Sequence, residues 1–474
     1  MLHDLLCEKF SDKNIILLGF GVSNIPVAKE FVRAGLGKSV IVRDMKSFDD
    51  LGDAARELAD AGVRFECGIE PTKDFSCDTS RAVIFRSPGI RPDAGDLTPA
   101  IKSGAILTSE VEFFCEHTPA RIIAVTGSDG KTTTSTLTSL ILKEGYKGGK
   151  VYLGGNIGTP LFPLLDEIGE NDVCVLELSS FQLMTMDSRA TNAAITNITP
   201  NHLNWHIDMN EYAEAKYKVC GKNTARLVLN ATDGYCRELA GKTETPKIIF
   251  SAYRDSYAAL DARGAKGIFL RDGGIILSDG ETEELLLKSS DIKIPGVHNI
   301  ENYMTATALT YGIAEKDSVV RVAKTFGGVA HRLELVREKN GVKYYNSSID
   351  SSPTRTIAAL STFSNKPTLI VGGRGKKTPY DGLARELYLR AGAVIVTGET
   401  ADEVSEALAS VASDYPDSEL KIFREEDFEA CVKLAESITP SGSAVVLSPA
   451  ATSFDKFKNF AERGEVFKNI VKNL

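Results

Sequence analysis

The chain has 474 residues, 43% of them hydrophobic, and its 55 Lys and Arg face 64 Asp and Glu for a formal net charge of −9. Such a length supports two or three cores, and the acidic balance excludes a basic nucleic-acid groove, so no nucleic acid is expected as a partner. No apolar run reaches bilayer length and the opening MLHDLLCEKF mixes acids and bases, so neither membrane insertion nor a signal peptide is expected.

In chain order, NIILLGFG predicts a strand, NIPVAKEFVRAG the helix after it and KSVIVRD the next strand. AVIFRSPGIRPDAGD ends a further strand in a Pro/Gly-rich stretch, which marks a boundary. A second unit opens with the strand RIIAVTG and the helix after Lys131 and continues through DVCVLELSS and NAAITNIT. RDGGIILSDG signals a hairpin and hence an antiparallel annex, and helices at NIENYMTATALTYG and KDSVVRVAKTFGG close the unit. A third unit starts with AHRLELVREKNGVKYYNSS, a hairpin turning at Asn340-Gly341, and adds the strands PTLIVGGRG, AGAVIVTGE and SAVVLSPAA. The fold class is α/β in three domains, 1–97, 98–328 and 329–474. The outer two are Rossmann-like, and the middle one is a P-loop-type ATPase sheet with the annex. Eight cysteines without a C-x-x-C pair read as reduced thiols of a cytoplasmic protein.

The stretch TGSDGKTT, 126–133, lies between a predicted strand and a predicted helix, where backbone N–H groups and the helix dipole favour a phosphate. A standard P-loop needs a glycine at position 125, where Val125 stands. Gly127 and Gly130 still permit close backbone approach, Lys131 can neutralise phosphate charge, and Thr132 or Thr133 can ligate Mg²⁺. An ordinary strand–turn–helix with a chance lysine is the alternative.

Other candidates are more ambiguous. GFGVSN is a broken G-x-G-x-x-G with Asn24 at the third glycine and Asp44 after the next strand, and it reads equally as a dinucleotide turn or a plain βα turn. Glu177 ends a strand-like run, where a buried acid needs a partner, and a metal ion is the favoured one. His202 reads as a ligand at the same sheet edge or as a satisfied structural histidine. Lys216, on MNEYAEAKYKVC, reads by itself as a solvated surface lysine.

TGSDGKTT resembles the phosphate loop of the Mur ligase superfamily, T-G-x-x-G-K-[ST]-[ST]. LELSSFQL (176–183), TNITPNHLNWH (196–206), YAEAKYKV (212–219), GVHNIEN (296–302), HRLE (331–334) and LSPAATSFDKFKNFAERG (447–464) follow in the superfamily's order across all three domains. SSFQL and the tail string resemble its D-glutamate-adding branch. That resemblance implies an ATP-dependent ligase of cytoplasmic peptidoglycan precursor synthesis. ATP would phosphorylate the L-alanyl carboxylate of UDP-N-acetylmuramoyl-L-alanine, and the amine of D-glutamate would attack the acyl phosphate. The first domain would hold the UDP end, the second ATP, and the third would close over both; a monomer is the expected state.

Residue by residue, the resemblance implies ATP contacts at Gly127, Ser128, Asp129, Gly130, Lys131, Thr132, Thr133, Asn299, Asn302 and Arg332. It implies UDP-substrate contacts at Gly21, Val22, Ser23, Asp44, Met45, Ser87, Gly89 and Asn156, and D-glutamate contacts at Ser351, Lys376, Ser453, Phe454 and Phe460. Two Mg²⁺ would be held by Thr132, Glu177, His202 and a carbamylated Lys216, and Lys131, Glu177, His202 and Lys216 would carry the chemistry. For Asn299, Asn302 and Arg332 the plain alternative is surface polarity. The rivals to this reading are a sibling ligase for another amino acid, a folate polyglutamylase, or a nucleotide-binding regulator without turnover.

The chain departs from the superfamily in two places. NSSIDSSPTRT puts Ser347 where an aspartate is usual, and GGRGKK puts Gly375 where an acid often precedes the lysine. Both bear on ATP affinity and closure. Asp350, three residues on, either replaces the missing aspartate near the nucleotide or is a solvated loop acid.

Overall fold

The structure is a computed structural model that describes residues 2–253, 266–375 and 378–474. Its apolar runs become three sheets. The first consists of β1 (Asn14–Leu18), β2 (Val40–Asp44), β3 (Arg64–Cys67), β4 (Ala82–Arg86) and β5 (Ile106–Thr108), parallel throughout in the order β3-β2-β1-β4-β5. Strands such as Ile15–Leu18 are buried on both faces, so they read as continuous apolar runs rather than alternating ones. The predicted boundary at 97 falls inside the crossover from β4 to β5. Val83 pairs in parallel with Ile106, which requires the helix Leu97–Lys102 between them, and the first sheet therefore extends to Thr108.

The second sheet has nine strands: β6 (Arg121–Thr126), β7 (Val151–Gly155), β8 (Val173–Glu177), β9 (Asn192–Ile195), β10 (Arg226–Asn230), β11 (Lys247–Ser251), β12 (Lys266–Arg271), β13 (Gly274–Ser278) and β14 (Glu283–Lys288). Their order is β14-β13-β12-β11-β10-β9-β6-β8-β7. β12, β13 and β14 form the predicted antiparallel annex, and the turn between β12 and β13 uses left-handed backbone at Asp272 and Gly273 (φ 50° and 75°).

The third sheet comprises β15 (Glu334–Lys339), β16 (Val342–Asn346), β17 (Thr368–Gly372), β18 (Ala393–Thr397), β19 (Lys421–Arg424) and β20 (Ala444–Leu447), in the order β15-β16-β20-β17-β18-β19. Its opening hairpin turns at Asn340-Gly341, both left-handed (φ 53° and 77°), as the sequence predicts.

By internal contacts the chain divides into two compact units, residues 1–291 with 298–322, and residues 292–297 with 323–474. In the first unit an aromatic seam of Phe31, Phe85, Phe113 and Phe162 runs through the shared core of the first two sheets, with ring centroids 5.3–6.3 Å apart for the pairs that meet. Each such pair adds about 0.5–1.5 kcal/mol beyond simple burial. Among the described residues no helix is long and apolar enough to cross a membrane, and the eight cysteines are free.

Candidate active site

β6 lies between β9 and β8, the point where the order of the central sheet reverses and a crevice opens beyond the strand ends. Residues 127–130 turn there into the helix Lys131–Gly145, whose first N–H groups have no partner within the helix. The turn depends on its two glycines. Gly127 and Gly130 have φ of 146° and 78°, and a Cβ on them would lie 1.9 Å from Thr196 Oγ1 and 2.5 Å from Asn302 Oδ1. The end of β9 fixes the turn from one side. The Asp129 amide donates to Asn197 Oδ1 (2.9 Å), the Ser128 amide donates to the Asn197 carbonyl (2.8 Å), and Thr196 Oγ1 donates to the Asp129 carbonyl (2.6 Å). Ser128 Oγ donates to the Thr199 carbonyl (3.0 Å) and also meets the Tyr212 hydroxyl at 2.9 Å.

Two lysines converge on this turn. Lys131 Nζ donates to the carbonyls of Gly127 (2.9 Å) and Ser128 (2.8 Å), and Lys216 Nζ donates to the same Gly127 oxygen (2.7 Å). Lys216 is 1% exposed and lies 4.5 Å from the centre of the Tyr212 ring. The surface position that the sequence alone suggests for it is therefore corrected. Burial, and then the neighbouring Lys131, pushes its pKa well below that of an ordinary lysine, against the opposing pull of Asp129 and Glu177.

Glu177 ends β8 and is 1% exposed. Its Oε1 accepts from Asn156 Nδ2 (2.8 Å), while Oε2 is buried with no hydrogen-bond partner among the described residues. An orphaned carboxylate oxygen in that position suits a hard cation. His202 is exposed, has left-handed backbone (φ 55°), and packs 4.9 Å from the Phe181 ring. Partial desolvation of the ring, then Lys131 and Lys216, lowers its pKa and favours the neutral imidazole. Among the described residues no three His, Cys, Asp or Glu side chains form a metal cluster, and Thr132 lies in the first turn of the helix.

Asn302 joins the turn from helix Val297–Thr310. It accepts from Thr134 Oγ1 (3.2 Å) and donates to Asn299 Oδ1 (3.0 Å), so the two asparagines are not mere surface polarity. A cavity of about 110 Å³ beside Gly130 is lined by Asp129, Asn197, His298, Glu301 and Asn302. Sequence reasoning missed Asn197, His298 and Glu301, although the last two flank the asparagines it chose.

At the edge of the first sheet the turn after β1 is held by Asn24, which is fully buried. Its Nδ2 donates to the carbonyls of Leu18 (3.0 Å), Gly19 (2.9 Å) and Phe85 (3.2 Å), and it lies 3.3 Å from Ser87 Oγ. The third glycine is absent because an amide is needed there. Gly21 accepts from the amides of Asn24 and Ile25, and Ser23 precedes the helix Asn24–Arg33 without capping it. Asp44 accepts from the amides of Phe20 (2.7 Å) and Lys46 (2.9 Å). Val22 and Met45 stand 76% and 70% exposed, and the Gly89 carbonyl accepts from Trp205 Nε1 (2.8 Å).

In the second unit, Arg332 sits between two left-handed residues, His331 and Leu333 (φ 62° and 42°). Asp350 is 6% exposed and accepts from Ser448 Oγ (2.8 Å) and from the Ser347 hydroxyl, and burial raises its pKa. It is not a solvated loop acid, and the serine at the usual aspartate position hydrogen-bonds to it. An acidic side chain at 375 would be crowded, since a Cβ there already meets Thr400 Cγ2 at 3.0 Å. Ser351 is half-buried, Ser453 is buried, and Phe454 and Phe460 are 58% and 40% exposed. Lys376 lies outside the described residues. Arg463, which the sequence reading passed over, ties residues 348, 451 and 452 together through Nε to Ser348 Oγ (3.0 Å) and terminal nitrogens to three carbonyls (2.9–3.1 Å).

Residues 125–310 match the Mur ligase middle domain, and residues 331–451 match the Mur ligase glutamate ligase domain. Over 466 residues the chain is 41% identical to the UDP-N-acetylmuramoylalanine--D-glutamate ligase of Ruminiclostridium cellulolyticum, covering 98% of this chain and 97% of that one. Its identity to the enzyme of the same name from Clostridium perfringens is 40% over 470 residues, covering 98% of each. Among solved structures, MurF from Acinetobacter baumannii superposes with a TM-score of 0.58 at 15% identity (99% and 98% covered), and UDP-N-acetylmuramate-alanine ligase MurC from Thermotoga maritima with 0.55 at 18% (97% and 99%). At those identities the structures speak for the fold alone.

Proposed function

The chain belongs to the Mur ligase family, and from that premise we propose that it joins D-glutamate to UDP-N-acetylmuramoyl-L-alanine, as a monomer, in cytoplasmic peptidoglycan precursor synthesis. It is an ATP-dependent ligase. What supports the site most is the convergence of Lys131 and Lys216 on one carbonyl oxygen beneath a glycine turn at the sheet's reversal point.

A carboxylate resists attack by an amine because its charge repels the nucleophile and oxide is a poor leaving group. Transfer of the terminal phosphoryl group of ATP to the L-alanyl carboxylate gives an acyl phosphate and ADP. The D-glutamate amine then adds to the acyl carbon, and phosphate departs from the tetrahedral adduct. The protein's part is positioning and charge. The Gly130 amide and the helix start hold the phosphates, with Thr132 and Thr133 in the first turn. Lys131 exchanges its two loop carbonyls for phosphate oxygens. Asn299, Asn302 and Arg332 complete the nucleotide contacts.

The three domains divide the substrates. The edge of the first sheet receives the UDP end, with Val22 and Met45 offering apolar surface to the uracil, and Gly21, Ser23, Asp44, Ser87 and Gly89 near the diphosphate. Asn156 faces the sugar-peptide end. Ser351, Lys376, Ser453, Phe454 and Phe460 hold D-glutamate, whose two carboxylates call for a cation and hydroxyl donors.

Mg²⁺ would be held by Thr132, Glu177, His202 and a carbamylated Lys216, and when bound it neutralises phosphate charge during transfer. Carbamylation is a balanced step: the neutral Lys216 amine adds to carbon dioxide and loses one proton, which leaves an N-linked carboxylate. The buried, cation-flanked amine of Lys216 favours the neutral form this step needs.

The test is the product. UDP-N-acetylmuramoyl-L-alanine, ATP and D-glutamate should give one new amide by mass, with one ADP released per product. Preference for another amino acid across a panel would assign the chain to a sibling activity. Absence of turnover with both substrates present would leave a nucleotide-binding regulator.

A further inference from the structure

Outside the substrate, metal and nucleotide sets, a hydrogen-bonded chain links the turn after β4 to the loop that carries His202. Arg91, on that turn, directs Nη1 and Nη2 at the two carboxylate oxygens of Glu211 (3.0 and 2.9 Å), and its Nη1 also donates to the Trp205 carbonyl (2.7 Å). Glu211 Oε2 accepts further from the Ile207 amide (2.9 Å) and from His206 Nδ1 (3.0 Å). With its Nδ1–H donating to the carboxylate, His206 presents Nε2 as an acceptor to Ser180 Oγ (2.9 Å), in the helix Ser180–Leu183.

Aromatic contacts run alongside. The Arg91 guanidinium lies 5.1 Å over the Trp205 ring, Trp205 Nε1 donates to the Gly89 carbonyl (2.8 Å), and Phe181 packs 4.2 Å from Trp205 and 4.9 Å from His202. The amides of Trp205 and His206 both donate to the His202 carbonyl (2.9 Å each). His206 is 2% exposed, and Glu211 shares the helix Met209–Tyr217 with Lys216.

A carboxylate fed by four donors is a fixed node, because moving it would strand all four at once. Here the node joins the Gly89–Arg91 side, which receives the UDP substrate, to the two elements that present His202 and Lys216. We propose that Arg91 and Glu211 are positioning residues of the ligase reaction, clamping the His202 loop and the Lys216 helix to the substrate turn so that bound UDP-sugar sets their placement. The proposal rests on the reading of the first-sheet edge as the UDP-substrate site.

The molecule supplies its own reporter, since Trp205 is its one tryptophan. Full-length wild type, Glu211→Gln, Arg91→Lys and the double variant are compared by tryptophan emission on addition of UDP-N-acetylmuramoyl-L-alanine alone, by steady-state kinetics and by thermal melting. Wild-type emission is expected to shift on substrate addition. In Glu211→Gln the shift is expected to be lost, with kcat down about a hundredfold, the effect of roughly ångström-scale misplacement, and KM for ATP within about threefold. The double variant should be no slower than the worse single one, because both break the same node. A kcat per folded molecule that stays at the wild-type value while the melting temperature drops would overturn the proposal, as would multiplicative losses in the double variant. If the wild type itself makes no product, the reading of the function fails; if the wild type turns over and the variants keep its kcat, only the positioning role fails.

Discussion

The turn at residues 19–23 and the turn at residues 127–130 occupy the same place in two sheets and collect backbone carbonyls in opposite ways. Each follows a strand whose neighbours lie on either side of the reversal in strand order, β1 between β2 and β4, and β6 between β9 and β8. Each leads into a helix. In the first, one neutral amide, Asn24, gathers the carbonyls of Leu18, Gly19 and Phe85 and leaves an apolar residue, Val22, standing in solvent. In the second, Lys131 and Lys216 gather the carbonyls of Gly127 and Ser128. The topology makes a crevice in both, and the group holding the carbonyls selects what enters it. A neutral amide holding the carbonyls beside exposed Val22 suits a ring, whereas Lys131 and the first amides of the helix after it favour an anion and suit phosphate.

Removing the charge should break the second turn first. Lys131→Ala is expected to lower ligation by about three orders of magnitude, read as ADP release with both substrates present, while the melting temperature stays within a few degrees. Near-normal turnover would remove the nucleotide from this turn. Next in size is Lys216→Ala, expected to lose about a hundredfold in activity yet to bind UDP-N-acetylmuramoyl-L-alanine as tightly as the wild type in a calorimetric titration. Wild-type enzyme stripped of carbon dioxide at mildly acidic pH should weaken likewise and recover with bicarbonate at neutral pH. An active Lys216→Ala enzyme would sink the carbamate.

The first turn should respond differently. Asn24→Ala removes the buried side-chain donor shared by the carbonyls of Leu18, Gly19 and Phe85 and should lower stability by about 2 kcal/mol, seen as an earlier denaturant midpoint. It should also raise KM for the UDP substrate about tenfold, the equivalent of about 1.4 kcal/mol, with little change in KM for ATP. Equal rises in both constants would erase the distinction between the turns. Smallest is Val22→Ala. The side chain is exposed, so stability should not move, and loss of its apolar contact should raise KM for the UDP substrate by about threefold. An unchanged KM would take the uracil away from Val22.

The charged turn was the more legible of the two. Glycines at 127 and 130 and a lysine at 131 sit at fixed offsets between a strand and a helix, and each is imposed by close approach or charge. Asn24 was visible only as a missing glycine, because its partners, carbonyls from β1 and β4, are far apart in sequence. Lys216 looked like a surface residue for a related reason. Its helix buries Tyr212, Ala213, Ala215 and Tyr217 as well, and alanines that permit close packing resemble alanines on an exposed helix when read as letters. Asn197 and the His206–Glu211 pair carried no local signal at all, since their roles depend on which strand ends the topology brings together. Asp350 was one of two open readings, and burial against Ser448 excluded the solvated one without bearing on the nucleotide.

The strand order of the central sheet also sets a timetable for the growing chain. All five strands of the first sheet have been made once Thr108 is in place, so its strands can pair early. β6 follows at once, but its neighbours β8 and β9 end at Glu177 and Ile195, and Lys216 comes later still. The phosphate turn is thus synthesised well before the elements that shape it. At about 5–20 residues per second the ribosome leaves an interval of several seconds between residue 131 and residue 216. During that interval the amino-terminal sheet is available to fold while the glycine turn still lacks Asn197 and its second lysine.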